Sequence, residues 1–298
     1  MTHARAVALM IVGALMWSIG GVVSRHFESA DGFEVTFWRS LFAALTVAMW
    51  MAWEGGGRAW QSLKANPLTM GISGVMWAVM FTCFMFALSL TQVANVLITQ
   101  SLAPVFTALM AGLVLRRPVG RRTWGAIVVA ALGIACMYAF DVSSLEGRHA
   151  LGVMVALGIP VAAAVNWIVV QRAGSGPDLS LSVLLGGIIS CAVTLPLAWP
   201  LQTSAHDLAL LVLLGVFQLG IPCVVVMRAA RHLSAAETSL LALLEVVFGI
   251  VLTWLFGGET PGLATVIGGT AVLGALVYNE LSRSVALTAA GKPKTASP

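Results

Sequence analysis

Charged residues are scarce in this chain of 298 residues, where Asp, Glu, Lys and Arg together account for 9%. A water-soluble domain carries about 25% charged residues, so this chain cannot cover a surface that faces water. Hydrophobic residues account for 59% of it, and the mean hydropathy is +0.95. We therefore expect most of its surface to face lipid.

Chemically reactive side chains are also few, and they are scattered. The cysteines fall inside apolar runs without the spacing of metal ligands, which predicts small buried hydrophobic residues: Cys83, Cys136, Cys191 and Cys223. The histidines fall in loops or at helix ends: His3, His26, His149, His206 and His232. A membrane-embedded enzyme would need such groups clustered at one depth. We therefore expect no enzyme, no metal and no cofactor.

Long apolar runs make up most of the chain. A membrane-spanning helix needs about 20 mainly apolar residues. The sequence therefore predicts an all-α integral membrane protein with ten transmembrane helices. The predicted spans are 4–24, 33–53, 68–90, 93–115, 123–140, 150–170, 179–199, 208–226, 235–256 and 263–278. The third and fourth spans, and the eighth and ninth, must then be joined by tight hairpins.

The distribution of Lys and Arg predicts the orientation. A net charge of +4 could suggest a nucleic-acid partner, but the basic residues fall in short loops and form no basic face. With a cytoplasmic N-terminus, the outside would hold Arg25 and Arg148, Arg39 would lie within a span, and the cytoplasmic side would hold all others. The positive-inside rule thus predicts a bacterial inner-membrane protein with both termini in the cytoplasm, and residues 116–122 as a topology anchor.

A weak internal repeat divides the chain. A shift of 142 residues places Leu102 on Leu244 and Phe106 on Phe248. Each half holds five predicted spans, and an odd number makes the second half enter the membrane upside down. Inverted repeats of this kind are typical of secondary transporters, whose solute site lies near mid-membrane. The predicted units around a central cavity are a first five-helix repeat, 1–147, a second, 148–284, and a disordered cytoplasmic tail, 285–298.

Short motifs along nearly the whole chain carry a family resemblance. They are residues 14–18 (ALMWS), 37–40 (FWRS), 87–90 (ALSL), 93–95 (VAN), 101–106 (SLAPVF), 244–248 (LEVVF) and 257–260 (GGET). In these the chain resembles the drug/metabolite transporter superfamily in its ten-helix form with two EamA domains. Within it, the chain is most similar to exporters of amino acids and related metabolites, aromatic amino-acid exporters among them.

The chain departs from the family pattern at two positions. Arg117 stands where the first half usually carries an acidic residue, whereas Glu259 keeps that residue in the second half. Val246 stands where the second half usually carries proline, whereas Pro104 keeps it in the first. We therefore do not expect a mechanism that depends on symmetric prolines or glutamates.

Two charged residues are predicted inside the membrane, where each must have a partner or a role because a charge at mid-bilayer costs at least about 2.5 kcal/mol. Arg39 lies in the second span and Glu245 in the ninth, at depths that differ by only several ångströms (about 1.5 Å per residue). They could contact a zwitterionic solute, Glu245 could carry a coupling proton, or the two could form a fixed ion pair between helices.

Further polar and aromatic residues complete the set of cavity candidates. Ordinary core packing, an interfacial belt or headgroup hydration could explain several of them equally well. The substrate-binding candidates are Trp17, Arg39, Trp77, Met80, Phe81, Phe84, Asn95, Thr99, Asn166, Trp167, Gln218 and Glu245. The gating candidates are prolines inside spans, which remove a backbone hydrogen bond: Pro104, Pro160 and Pro222.

The sequence thus predicts a secondary transporter that exports small amphipathic metabolites by alternating access, most readily amino acids. A multidrug exporter of organic cations is the alternative, because Glu245 is an intramembrane carboxylate. A passive channel would need a polar stripe through several spans, which is absent from the sequence. The expected partners are a small-molecule substrate and the lipid bilayer, without nucleic acid, and the chain could act as a monomer.

Overall fold

In the residues that it describes, the computed structural model consists of helices joined by short turns and loops, without β-strands. The described residues are 1–29, 31–54, 57–114, 124–125, 128–129, 132–133, 147–173, 180–230, 232 and 241–290. The helices are α1 (His3–Ser24), α2 (Gly32–Trp53), α3 (Gly57–Ala65), α4 (Pro67–Leu90), α5 (Val93–Gln100), α6 (Ala103–Val114), α7 (Gly147–Ala173), α8 (Ser180–Ala198), α9 (Ala205–Leu213), a π-helical segment (Leu214–Gly220), α10 (Ile221–Ala230), α11 (Leu244–Phe256) and α12 (Leu263–Ala290).

Five helical stretches in the described part are long and apolar enough to cross a membrane: His3–Ser24, Gly32–Trp53, Pro67–Leu90, Ser180–Ala198 and Ala205–Val226. Four shorter apolar stretches coincide with further predicted spans: Val93–Thr107, Ala150–Asn166, Leu244–Phe256 and Leu263–Ala275. Large apolar side chains cover the outside, as Trp53, Met154 and Leu263 illustrate with 79%, 70% and 76% of their surface exposed. The predicted all-helical fold is confirmed for the described residues, and the apolar stretches are consistent with a membrane protein. The fifth predicted span, 123–140, lies almost wholly outside the described residues, so the total of ten stays a prediction.

The structure differs from the predicted spans in four places. The fourth span is divided into α5 and α6 by a turn at Ser101 and Leu102, because Pro104 cannot donate a backbone hydrogen bond there. In the ninth span, a turn at Leu243 precedes α11. Helix α3 lies in a segment that was predicted as a loop. Helix α12 continues to Ala290, so the first six residues of the predicted disordered tail, 285–290, are helical.

Helix packing is closest where glycines face a neighbouring helix. Helix α8 packs against α2 and α4, and α4 also packs against α7. A Cβ atom at Gly186 would lie 2.4 Å from Cβ of Trp77, and one at Gly187 would lie 2.9 Å from Cβ of Ala44. Small residues at such crossings let the helix backbones approach closely, as in many membrane proteins.

Buried hydroxyl and amide groups connect the same helices. Ser40 Oγ of α2 donates to Ser190 Oγ of α8 at 3.0 Å, and Thr82 of α4 lies 3.0 Å from the same oxygen. Ser73 Oγ of α4 donates to Asn166 Oδ1 of α7 at 2.6 Å. Interhelical hydrogen bonds of this kind contribute about 0.6 kcal/mol each on average in a membrane protein.

One end of the bundle is held together by an ion pair and its backbone contacts. Arg25 Nε, just after α1, lies 2.6 Å from Glu259 Oε1, in the link between α11 and α12. The two other guanidinium nitrogens of Arg25 donate to the carbonyl oxygens of Leu88, at 3.0 Å, and Thr91, at 2.8 Å. Glu259 Oε2 accepts a hydrogen bond from the backbone N–H of Val93 at 3.1 Å. Three separate chain segments meet in this network.

Two buried carboxylates hold loops at the same end. Asp207, in the first turn of α9, accepts hydrogen bonds from the backbone N–H groups of Glu28 and Ser29 at 3.0 and 2.8 Å. Glu34, in the first turn of α2, accepts from the backbone N–H groups of Gln202 and Thr203, both at 2.8 Å. We call this end, defined by Arg25, Glu34, Asp207 and Glu259, the Arg25 end.

The opposite end has a more exposed contact. Arg228, in the last turn of α10, pairs with Glu54, and their side chains are 47% and 44% exposed. The Arg228 guanidinium also lies 4.8 Å from the ring centroid of Trp50. In the described residues, therefore, the more buried carboxylate contacts lie at the Arg25 end.

Candidate functional site

Arg39 and Gln218 form the polar centre of the bundle. Both side chains are buried, with 2% of their surface exposed. Nε of Arg39 donates a hydrogen bond to Oε1 of Gln218 at 3.0 Å. Nε2 of Gln218 donates in turn to the carbonyl oxygen of Trp17 at 3.0 Å. This chain of contacts connects α2, the π-helical segment and α1.

The other edge of the Arg39 guanidinium is unsatisfied. Its Nη1 atom is buried and has no hydrogen-bond partner among the described residues. The guanidinium carbon lies 5.9 Å from the ring centroid of Phe81 and 5.5 Å from that of Phe84, both on α4. Cation–π attraction stabilises the charge but supplies no hydrogen-bond acceptor. Since a buried unpaired donor is costly, this position favours an anionic group from a bound solute.

Glu245 lies close to Arg39 without pairing with it. It is 8% exposed and lies in the first turn of α11, two residues after the break at Leu243. Its carboxylate interacts with the side chain of Gln100 and with the charge of Arg39. The ion pairs within 4.0 Å in the described part of the chain do not include Arg39 with Glu245. The fixed ion pair, one of three interpretations of the sequence, is therefore not present in this structure.

The break before α11 places Glu245 near a helix N-terminus. The break between α5 and α6 follows Gln100 directly. Interrupted helices of this kind line solute sites in secondary transporters. Gln100 and Glu245 thus each lie beside one of the breaks.

The predicted aromatic residues divide into two groups. Phe81 and Phe84 lie beside Arg39, whereas Trp77 packs against Phe81 with ring centroids 5.5 Å apart. Met80 packs against the main hydrophobic core. Trp17 contributes its carbonyl oxygen to Gln218, and its side chain packs near the core of α2 and α10. Phe81 and Phe84 are therefore the best placed of the predicted rings.

The predicted polar residues on α5 and α7 lie in other contacts. Asn95 is buried, its Nδ2 lies 3.3 Å from Thr91 Oγ1, and its Oδ1 has no partner in the described part. Thr99 bonds back to the carbonyl oxygen of Asn95 at 2.7 Å. Asn166 Oδ1 accepts the hydrogen bond from Ser73 Oγ described above. The side chain of Trp167 lies outside the described residues. None of the described contacts joins these residues to Arg39.

The three predicted gating prolines occupy different settings. Pro104 lies in the first turn of α6 after the break, and Pro160 lies inside the continuous helix α7. Pro222 follows the π-helical segment that contains Gln218. Because Pro222 has no N–H and its ring crowds the carbonyl of Gln218, the regular hydrogen bond between these two residues cannot form. The local widening of the helix is the consequence.

Several polar residues in the structure were not among the predicted site residues. The Arg25–Glu259 pair joins positions far apart in sequence, so the pairing itself could not be predicted. The sequence did single out Arg25 as one of the two basic residues predicted on the outer side of the membrane. Asp207 follows Ser204 by three residues, the spacing of a capping box. In the part of the chain that is described, no group of three His, Cys, Asp or Glu residues could hold a metal ion.

Comparisons with known proteins bear on the function. The model of the EamA-like transporter family matches the chain twice, over residues 4–139 and 150–279. The pseudopaline exporter of Pseudomonas aeruginosa is 24% identical over 276 residues, which cover 91% of this chain and 94% of the exporter. The S-adenosylmethionine uptake transporter of Rickettsia prowazekii is 22% identical and covers 94% of both chains. Similar proteins thus include an exporter and an uptake transporter.

Another transporter and a solved structure are also similar to the chain. Solute carrier family 35 member G1 of Homo sapiens is 21% identical over 279 residues, which cover 88% of this chain and 75% of that protein. One solved crystal structure superposes with a TM-score of 0.64 at 15% identity, over 95% of this chain and 99% of its own. That likeness shows the fold.

Proposed function

Since the chain belongs to the EamA-like transporter family, in the drug/metabolite transporter superfamily, we propose that it exports small amphipathic metabolites, most readily amino acids and aromatic ones among them. The observation that carries this proposal is the buried Nη1 of Arg39, which has no partner in the described residues and lies beside Phe81 and Phe84. A carboxylate would complete the hydrogen bonding of this guanidinium.

A zwitterion matches the charges of the site better than an anion or a cation. Arg39 would bind the carboxylate of an amino acid, and Glu245, which interacts with Arg39 without pairing, would attract its ammonium group. The rings of Phe81 and Phe84 offer apolar surface beside the charged groups. A lipophilic cation would use Glu245 but would leave Arg39 unsatisfied, so export of organic cations is the second candidate.

Helix packing supports two inverted five-helix repeats with alternating access. Suppose that each of the first five predicted spans is exchanged with its counterpart among the second five. The contact of α1 with α11 then becomes the contact of α7 with α6, which the structure also has. The contact of α1 with α10 likewise becomes that of α7 with α4. The contact of α2 with α8 maps onto itself. The turns at Leu102 and Leu243 also fall at nearly equivalent positions. The predicted halves, 1–147 and 148–284, contain the two family matches.

The remaining predictions on location belong to this proposal. The loop distribution of Lys and Arg supports insertion in the bacterial inner membrane with both termini in the cytoplasm. The Arg25 end would then face outward, and the Arg228–Glu54 pair would face the cytoplasm. The predicted monomer is the assembly in which we expect the purified protein to transport.

Counterflow in liposomes tests the proposal. The full chain is purified and reconstituted into liposomes loaded with unlabelled L-phenylalanine, and uptake of external labelled L-phenylalanine is measured. We expect transient accumulation above that of protein-free liposomes, and a loss of tenfold or more for Arg39→Met, since charged hydrogen bonds contribute about 1.5–3 kcal/mol. Arg228→Met is the matched control because its side chain is 47% exposed at the opposite end.

Two outcomes would contradict the proposal. If no amino acid of a scanned set is exchanged but tetraphenylphosphonium is, the protein is an exporter of organic cations. If Arg39→Met and Arg228→Met reduce exchange equally, Arg39 does not contact the solute.

A further inference from the structure

The two polar atoms of the Gln218 amide bond to two different helices. Its oxygen accepts from Arg39 Nε, and its nitrogen donates to the carbonyl oxygen of Trp17, each at 3.0 Å. These two partners fix the orientation of the amide, since only the nitrogen can donate and only the oxygen can accept. The amide therefore holds one edge of the Arg39 guanidinium in a defined position.

The backbone around Gln218 is shaped to bring this amide to Arg39. Gln218 lies in the π-helical segment, and the N–H that follows this segment, at Ile221, bonds to the carbonyl of Val216, five residues earlier. A Cβ atom at Gly20 of α1 would lie 3.0 Å from Nε2 of Gln218. A glycine is therefore needed at position 20 for the amide to reach the Trp17 carbonyl without displacement.

Because the amide is neutral, Gln218 binds Arg39 without cancelling its charge. A carboxylate in the same position would form an ion pair and satisfy the guanidinium electrostatically. With glutamine, the charge of Arg39 stays available and its Nη1 edge has no partner among the described side chains and backbone groups. Glu245 does not take up this edge, since no N···O contact within 4.0 Å joins the two residues in the described part.

We infer that Gln218 is a positioning residue that presents the Nη1 edge of Arg39 to the carboxylate of the solute and thereby makes the site selective for carboxylate-bearing substrates. This inference rests on the proposed function and adds a determinant of substrate class to it. We assign Gln218 this indirect role because both polar atoms of its amide already bond to protein groups, one of them Arg39 itself.

A pair of related solutes separates this role from a purely structural one. L-phenylalanine carries a carboxylate, and L-phenylalaninamide has the same ring and amine without that charge. Transport of both is measured in liposomes with the unaltered chain, Gln218→Glu and Gln218→Met. Gln202→Glu is the control, since it introduces the same charge on an exposed loop residue whose backbone, not side chain, bonds to Glu34.

We expect Gln218→Glu to raise KM for L-phenylalanine about tenfold or more, because the new carboxylate competes with that of the solute for Arg39. KM for L-phenylalaninamide should change less than about threefold, and the kcat of both should change little. Gln218→Met leaves Arg39 free to turn. It should also raise the ratio of the KM for L-phenylalanine to the KM for L-phenylalaninamide, but less strongly than Gln218→Glu. It also tests the inference if Gln218→Glu does not give a monodisperse protein.

Equal losses for both solutes in both variants would overturn the inference and leave Gln218 with a structural role. Counterflow by the unaltered chain shows whether only the inference about Gln218 fails or the proposed function fails as well. If that chain exchanges L-phenylalanine but the ratio is unchanged by Gln218 substitutions, only the inference fails. If it exchanges neither solute, the proposed function fails as well.

Discussion

The substitution Glu259→Gln should raise the fraction of molecules in which the Arg25 end is open. Arg25 makes one ion pair at 2.6 Å and two hydrogen bonds to carbonyl oxygens, and Glu259 accepts one more hydrogen bond from Val93. These contacts join three chain segments, so separation of the segments must break them. They therefore stabilise the closed Arg25 end and not an open one.

The magnitude follows from the partial exposure of the pair. The side chains of Arg25 and Glu259 are 24% and 22% exposed. A fully exposed pair contributes about 0.2–1 kcal/mol, and a hydrogen bond to a charged group about 1.5–3 kcal/mol. Glu259→Gln keeps the shape of the side chain and its bond to Val93, so we expect a loss of about 1–2 kcal/mol. This corresponds to a rise of about 5–30-fold in the ratio of open to closed molecules.

Cysteine labelling measures this ratio. Thr253 borders Glu259 in a cleft at the Arg25 end, is 2% exposed, and its hydroxyl has no partner in the described residues. In a background without the four native cysteines, Thr253→Cys reacts with a polar maleimide only when the end opens. In detergent, the reagent reaches both ends, so the result does not depend on orientation in the membrane.

The control is Glu54→Gln, which neutralises the exposed pair with Arg228 at the other end. We expect it to leave the labelling rate of Thr253→Cys unchanged or to lower it. A change below twofold in Glu259→Gln would refute the reasoning, as would an equal rise in both variants.

Two further predictions concern coupling and packing. If Glu245 carries a coupling proton, Glu245→Gln will abolish the acceleration of transport by an imposed pH gradient in vesicles, and unchanged acceleration would reject that role. Gly186→Ala should destabilise the protein by about 1–3 kcal/mol, because the new Cβ would lie 2.4 Å from Cβ of Trp77. Gly71→Ala has open space around it and should not lower the midpoint of thermal unfolding; equal midpoints in both variants would contradict the packing.

Hydropathy and charge along the sequence predicted the long apolar helices and the charged residues inside them. The length of the apolar runs predicted the bounds of the five helical stretches that are long and apolar enough to cross a membrane to within a few residues, since crossing lipid requires a nearly fixed number of residues. Arg39 and Glu245 were conspicuous because charge inside lipid is costly. Pro222 was expected to remove a backbone hydrogen bond inside its span, and the structure has a π-helical segment shortly before it.

Contacts between distant segments could not be predicted in the same way. The partner of Arg39 is 179 residues away in sequence, and hydropathy does not report how helices rotate about their axes. The turn before α11 has no proline at the position equivalent to Pro104, so no local signal marked it. Helix α3, with nine residues, is too short to be detected as a span.

The contacts that close the Arg25 end are made largely to main-chain atoms. Glu34, Asp207 and Glu259 all accept from backbone N–H groups, and Arg25 donates to backbone carbonyls. In the loops held in this way, the contacts depend on the path of the backbone and little on which side chains the loops carry. Many substitutions in these loops should therefore leave closure intact, so that a fluorophore or an affinity tag attached at Gln202 would report on transport without blocking it.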